Sequence, residues 1–225
     1  MNARSHQQGV SLVELLVGLA LGLFVVAVAA TLIAAQTPEQ RRLAAEQRLM
    51  QDLRTAADVV TRDLRRAGHW GAAASGVWMP AASGVEANPY APLEPAVAAS
   101  DAANWRYSRD TVENHALDAN EQFGLRLRNG AIELGLGAGQ WQSLTDAGTL
   151  VVTALEVAPT VQTIDLGGHC ERRCPVGDPT CPPRLQVRRL SLAITARSST
   201  DAAVVRSLRS EVRVRNDAVS GACLA

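Results

Sequence analysis

One uninterrupted apolar run near the N-terminus restricts the folds open to this chain more than any other feature. Residues 15–35 contain no charged side chain. At about 1.5 Å of rise per helical residue the run covers roughly 30 Å, which is the hydrocarbon thickness of a bilayer. Arg4 precedes the run and no acid flanks it on that side, so the positive-inside rule puts residues 1–9 in the cytoplasm and the bulk of the chain outside. We therefore expect a single-pass membrane helix.

Two ordinary explanations of such a run are a cleaved secretory signal peptide and a generic signal anchor. A signal peptide has a shorter apolar core followed by small residues at its cleavage site, a pattern that Ala34 and Ala35 only mimic. Glu14 argues against both explanations, because it stands at the start of the run and a carboxylate in a membrane costs several kcal/mol unless it is paired. Glu14 is therefore a candidate functional residue.

The segment around Glu14, GVSLVELLV at residues 9–17, resembles the class III signal of type IV prepilins. The resemblance implies that prepilin peptidase cuts between Gly9 and Val10 on the cytoplasmic face and methylates the new N-terminus at Val10. Glu14 then becomes the fifth residue of the mature chain. Prepilins usually have Phe at the position of Val10, a departure that minor members of the family tolerate.

Such a cut leaves an ammonium on Val10, close to Glu14. When helices pack side by side in a filament, the Glu14 carboxylate can neutralise the Val10 ammonium of a neighbour, whereas a subunit out of register leaves both charges unpaired. Methylation keeps the charge of the amine. We expect Glu14 to set the register of assembly as well as to stabilise it.

Gly18 and Gly22 form a G-x-x-x-G pair inside the apolar run. Such a pair lets membrane helices approach closely. Two other interpretations stay open: the pair marks a segment that loosens during assembly, or it belongs simply to a membrane helix rich in small residues.

The helical pattern continues beyond the apolar run. Pro38 is expected to kink or restart the helix, and Gly68 is a natural helix stop. We expect one helix from Val10 to about Ala67, half in lipid and half under a head. Apolar residues at steps of three and four predict its inner face: Leu43, Leu49, Met50, Leu53, Ala57, Val60, Leu64 and Ala67.

These patterns divide the chain into five parts. They are a leader (residues 1–9), a transmembrane and assembly helix (10–36), an amphipathic helix that enters the head (37–68), a loop region (69–120) and a β-sheet head with a cysteine-containing C-terminal loop (121–225). The aromatic residues of the loop region are either exposed contact residues or, as we expect, pin the loop to the core: Trp70, Trp78, Tyr90, Trp105 and Tyr107.

Three later segments resemble PilW-family minor pilins: RDLRRAG at residues 62–68, the block 123–136 and VRVRND at 212–217. The resemblance implies an α+β, pilin-like fold in which the long N-terminal helix packs on an antiparallel β-sheet head. It also implies prepilin peptidase, other minor and major pilins and the inner membrane as partners. The chain would first span the inner membrane with its head in the periplasm, and then reach the pilus.

A hairpin is predicted at Asn129-Gly130, which is a strong signal for a two-residue turn. The turn fixes the register, and the resulting pattern places apolar residues on one face and opposite charges on the other. Further strands are expected at about 149–157, 185–196 and 204–215. The expected partners in the hairpin are Leu127 with Ile132, Leu125 with Leu134, Phe123 with Leu136, and Arg126 with Glu133.

Four cysteines, Cys170, Cys174, Cys181 and Cys223, lie in the last quarter of the chain. An even number outside the cytoplasm favours two disulfides, although three connectivities are open. The alternative is a zinc site that uses His169, but the cysteine spacings are not the paired C-x2-C of such sites.

Composition and motifs exclude several function classes. The net charge is zero, so bulk electrostatics indicates no nucleic-acid partner. There is no lysine, which excludes a Schiff base or a P-loop, and no nucleophile elbow or zincin helix occurs. We expect no enzyme, no cofactor and no metal. The leading hypothesis is a minor pilin that supports pilus assembly or initiation in twitching motility, adhesion or DNA uptake. The alternatives are a type II secretion pseudopilin and an unprocessed, membrane-anchored periplasmic binding protein.

Overall fold

The protein is represented by a computed structural model that describes residues 9–76, 86–178 and 180–224. The chain divides into two compact units, one up to Ala44 and one from Ala45 onward. A long helix and two antiparallel sheets make up its regular structure, which gives the α+β, pilin-like arrangement expected from the sequence.

Helix α1 runs from Leu12 to Leu64 and includes Pro38 in its interior. The restart considered for Pro38 does not occur. Proline removes one backbone donor from the hydrogen-bond ladder, and the hydroxyl of Thr37 donates to the carbonyl of Ile33 at 2.9 Å beside that gap. The local loss is small against the many bonds of so long a helix.

The end of α1 falls at Leu64, slightly before the expected Ala67. The chain tightens there, since the N–H of Ala67 bonds the carbonyl of Leu64, three residues back, at 3.1 Å. Gly68 follows with a φ of 73°, a conformation that glycine adopts without strain. Its N–H donates to the carbonyl of Arg106 at 2.7 Å, which fixes the exit of the chain from the helix.

The first unit exposes the apolar half of α1. The helix is long and apolar enough to cross a membrane, and none of the apolar window that meets this criterion is buried. Large side chains such as Leu19, Phe24 and Ile33 are exposed. An apolar surface of this length requires lipid or other apolar partners and is typical of a membrane anchor.

The second unit contains two antiparallel sheets. The first sheet has the strand order β1-β2-β3-β4-β5, and in the second β6, β7 and β8 pair in that order while β9 also pairs with β7. The strands are β1 (Leu93–Glu94), β2 (Ala102–Arg106), β3 (Gln122–Arg128), β4 (Ala131–Leu136), β5 (Trp141–Ser143), β6 (Leu150–Asp165), β7 (Arg184–Ser198), β8 (Val205–Arg213) and β9 (Ala218–Ser220).

The division of the head differs from the expectation in one respect. Residues 69–120, expected to be a loop region, supply β1 and β2 to the first sheet. Strand β2 buries Ala103 and Trp105 on alternate positions and pairs along its length with β3. Long-range pairing therefore overrides a local composition that is typical of loops.

The hairpin at Asn129-Gly130 is confirmed in position and register. Strands β3 and β4 pair Phe123 with Leu136, Leu125 with Leu134 and Leu127 with Ile132. Arg126 lies opposite Glu133 and forms an ion pair with it at 2.7 Å. The strands expected at 149–157, 185–196 and 204–215 correspond to β6, β7 and β8.

The hydrophobic core lies between α1 and the sheets. The helix contributes residues that recur with helical spacing, from Leu49 through Leu53 and Val60 to Leu64. Leu43, expected on the same face, is 55% exposed, because the buried residues of α1 begin at Leu49. Four aromatic residues of the segment 69–120 are buried, as expected: Trp70, Tyr90, Trp105 and Tyr107. Trp78 lies outside the described residues.

Two disulfides select one of the three possible connectivities. Cys170 pairs with Cys223, and Cys174 pairs with Cys181. No free thiol is left for a zinc site with His169. Within the described residues, no group of three or more His, Cys, Asp or Glu side chains could hold a metal ion.

Candidate functional site: the N-terminal turn of the long helix

The first turn of α1 is closed by a reciprocal pair of hydrogen bonds between Ser11 and Glu14. The Glu14 carboxylate accepts a bond from the backbone N–H of Ser11 at 3.0 Å, and the Ser11 hydroxyl accepts a bond from the N–H of Glu14 at 3.2 Å. This is a capping box, in which each side chain satisfies a donor that the start of a helix leaves open. It explains why the helix begins at Leu12 rather than at Val10.

Sequence reasoning identified Glu14 but missed Ser11. The signal was present, since Ser-x-x-Glu before an apolar run is the sequence pattern of a capping box. The bond also locates the carboxylate. It lies against the nitrogen of Ser11, the residue directly after Val10, and so beside the place where a cut after Gly9 would create an ammonium.

Gly9 and Val10 precede the helix in backbone without regular secondary structure. Val10 is 72% exposed. A peptide bond outside a helix and open to its surroundings is accessible to a peptidase, because no helical hydrogen bond has to break first. The leader residues 1–8 lie outside the described residues.

Gly18 and Gly22 lie one turn apart on the same face of α1. A Cβ added at either position would meet no atom within 4 Å. The two glycines therefore form an open notch in the apolar surface, where the backbone of a second helix could approach. The role of the notch in packing stays a prediction.

In the second unit, two segments far apart in sequence, residues 62–68 and 212–217, contact each other. The backbone N–H of Arg215 donates to the carbonyl of Arg65 at 3.4 Å, and the Asn216 side chain donates to the carbonyl of Ala67 at 3.4 Å. The Arg188 guanidinium donates to the carbonyl of Asn216 at 2.9 Å. The stretch after β8 is thus attached to the end of α1.

Asp63, in the first of these segments, links α1 to β2 and the residue after it. Its carboxylate accepts hydrogen bonds from Trp105 Nε1 at 3.2 Å and from the Tyr107 hydroxyl at 3.1 Å. Burial raises the pKa of Asp63 above its ordinary value, although the bonds from Tyr107 and Trp105 and the charge of Arg66 oppose the shift. Burial, followed by the charge of Asp63, raises the pKa of Tyr107 to about 12. These bonds connect the end of α1 to the first sheet inside the head, since both aromatic donors are buried.

Comparison with known proteins yields two matching family models. One, described as prepilin peptidase-dependent protein B, matches residues 42–214, which is most of the chain. The other, the prokaryotic N-terminal methylation motif, matches residues 4–30 and so contains the Ser11–Glu14 turn. No curated protein and no solved structure matches the chain.

Proposed function

Since the chain belongs to the prepilin peptidase-dependent protein B family, we propose that it is a minor pilin of a type IV pilus. Prepilin peptidase cuts it between Gly9 and Val10 and methylates Val10, and the processed subunit enters the filament through α1. Before assembly the head lies in the periplasm and α1 spans the inner membrane. The proposal assigns the chain an assembly role without catalysis.

The position of the Glu14 carboxylate is the observation that carries the proposal. It lies 3.0 Å from the nitrogen of Ser11, adjacent to the residue that receives the new ammonium. In the single chain, the neutral backbone N–H of Ser11 donates to this carboxylate. In a filament the ammonium of a neighbour offers a charge-assisted hydrogen bond, which is about twice as strong as a neutral one.

The exposed surface of α1 supports the same role. Lipid covers this surface before assembly, and the helices of neighbouring pilins cover it in the filament. The notch at Gly18 and Gly22 gives a neighbouring helix a place of close approach. Because an unpaired carboxylate is costly in this apolar setting, the Glu14 pairing permits one helix register and disfavours others.

The PilW-like segments favour a pilus over a secretion pseudopilus. A PilW-like minor pilin acts in a tip or priming complex that starts assembly, and thereby serves twitching motility, adhesion or DNA uptake. Deletion of the gene is the test of this part. Loss of surface pili with normal release of exoproteins agrees with the proposal, whereas loss of exoprotein release with normal pili assigns the chain to a type II secretion system.

N-terminal analysis of the membrane-bound protein tests the processing step. Mass spectrometry of the purified full chain should find an N-methylated Val10 as the first residue in cells with prepilin peptidase. Cells that lack the peptidase should retain Met1. A chain that keeps Met1 in both strains is an unprocessed membrane anchor, and the minor pilin proposal is then wrong.

A further inference from the structure

A net charge of zero hides a concentration of positive charge at one place in the head. A cleft of about 420 Å³ at the end of α1 is lined by Arg62, Arg65, Arg66, His69, Arg215 and Asn216, with no carboxylate among them. We call it the arginine cleft. We propose that the arginine cleft binds the phosphate backbone of duplex DNA.

The fold assembles the cleft from two segments that are about 150 residues apart in the chain. Arg62 lies in the last turn of α1, and Arg65 and Arg66 lie in the turn directly after it, three and four residues further along the chain. Arg215 joins them because its N–H bonds the carbonyl of Arg65. Arg66 lies over the ring of the buried Tyr107, with its guanidinium carbon 4.5 Å from the ring centroid.

Nearby acids neutralise only part of the positive charge of the cleft. Asp63 forms an ion pair with Arg66 at 3.8 Å and also accepts bonds from two aromatic side chains. Asp217 pairs with Arg213 at 2.7 Å. Within the described residues, Arg62, Arg65 and Arg215 form no ion pair, so their charges face the solvent of the cleft.

Closure of the helix end does not require these guanidinium groups. The carbonyls near the end of α1 already accept hydrogen bonds. The carbonyl of Leu64 accepts from the N–H of Ala67, and the carbonyl of Arg65 accepts from the N–H of Arg215. The carbonyl of Ala67 accepts from the side-chain amide of Asn216. Arginines near a helix C-terminus are favoured by the dipole, typically by about 0.3–1 kcal/mol each. That gain does not explain Arg215, which lies outside the helix.

The chemistry of the lining favours duplex phosphate over other polyanions. Guanidinium groups match phosphate with paired hydrogen bonds. The cleft lining contains no Trp, Tyr or Phe ring for stacking unpaired bases. It also lacks the apolar anchors that the core of a protein interface needs.

Binding of labelled duplex DNA by the purified full chain in a neutral detergent tests the inference. The test variant carries Arg62→Gln, Arg65→Gln and Arg215→Gln. The matched control carries Arg128→Gln, Arg184→Gln and Arg209→Gln, three exposed arginines outside the cleft with the same loss of charge. Fluorescence anisotropy between about 50 and 200 mM salt gives the affinity and its salt slope.

We expect the cleft variant to bind about tenfold more weakly or worse. The slope of log K against log salt concentration should fall in magnitude by about 2.7, because each of three lost phosphate contacts contributes about 0.9. The affinity and the salt slope of the matched control should change little. A variant with Arg62→Lys, Arg65→Lys and Arg215→Lys should keep most of the affinity and the full salt slope, which excludes misfolding as the cause of the loss.

Three results would overturn the inference: no DNA binding by the wild-type chain, equal losses in the cleft and control variants, or equally strong competition by polyglutamate at the same charge concentration. The last would indicate an acidic protein partner instead. The inference names a ligand for the DNA-uptake role and in that respect rests on the proposed function. Its test can fail separately, because DNA binding by the isolated chain depends neither on processing at Gly9 nor on a filament.

Discussion

The Glu14 carboxylate lies 3.0 Å from the backbone nitrogen of Ser11, and the Ser11 hydroxyl closes the turn with a bond of 3.2 Å to the N–H of Glu14. The residue proposed to direct assembly is thus also a cap of its own helix. In the lone subunit, this capping box limits the cost of a carboxylate at the start of an apolar helix. Pairing with a neighbour must therefore compete with a local hydrogen bond.

This relationship separates the charge of Glu14 from its capping role. Glutamine at position 14 can still close a capping box, but it cannot neutralise an ammonium. We expect both Glu14→Gln and Glu14→Ala to be processed normally and both to assemble poorly. Mass spectrometry of the N-terminus measures processing, and sheared surface pili measure assembly. Normal piliation with Glu14→Gln would show that capping, not charge, is the role of this residue.

Ser11 offers the complementary test. Replacing an N-cap serine by alanine typically costs about 1 kcal/mol, which corresponds to about fivefold faster opening of the first turn. Ser11→Ala should therefore speed hydrogen exchange at the Glu14 amide of the purified chain in detergent, while Ser11→Thr, which keeps the hydroxyl, should resemble the wild type. If alanine leaves the exchange rate unchanged, the hydrogen bond to Glu14 does not hold the turn.

The parts of the fold that were predictable have local causes. The β3–β4 register follows from a two-residue turn and from the pairing of Leu125 with Leu134 and of Arg126 with Glu133. All of these residues lie within a short stretch of sequence. Strand β2 was not predictable, since its Ala, Asn and Trp residues become a strand only by pairing with β3. The arginine cleft was hidden for a similar reason: Arg215 joins Arg62 only through the fold.

The disulfides should differ in their contribution to stability. Cys170 and Cys223 are 53 residues apart, whereas Cys174 and Cys181 are 7 apart. In the chain-entropy model the longer loop contributes about 4 kcal/mol and the shorter one about 2.5 kcal/mol. Denaturant unfolding of the two double Cys→Ser variants measures these values. A larger loss of stability on removal of the short-loop disulfide would contradict the entropic explanation. As a control, mass spectrometry should show that each variant retains its other disulfide.

The raised pKa of Asp63 predicts how the stability of the head depends on pH. Burial raises its folded-state pKa above the value of 3.8, so the folded chain binds this proton more tightly than the unfolded chain. The stability linked to Asp63 is then fully present below pH 3.8 and is lost as the pH rises through the folded-state pKa.

Unfolding of the wild type and of Asp63→Asn from pH 7 to pH 4 tests this sign, because the other carboxyl groups are common to both chains. At pH 7 the variant also loses one acceptor for Trp105 or Tyr107, at a cost of about 1–3 kcal/mol. On acidification the stability advantage of the wild type should grow, since its carboxyl gains the proton that its buried site favours. A constant or shrinking difference would mean that the bonds from Tyr107 and Trp105, with the charge of Arg66, outweigh burial and keep Asp63 ionised.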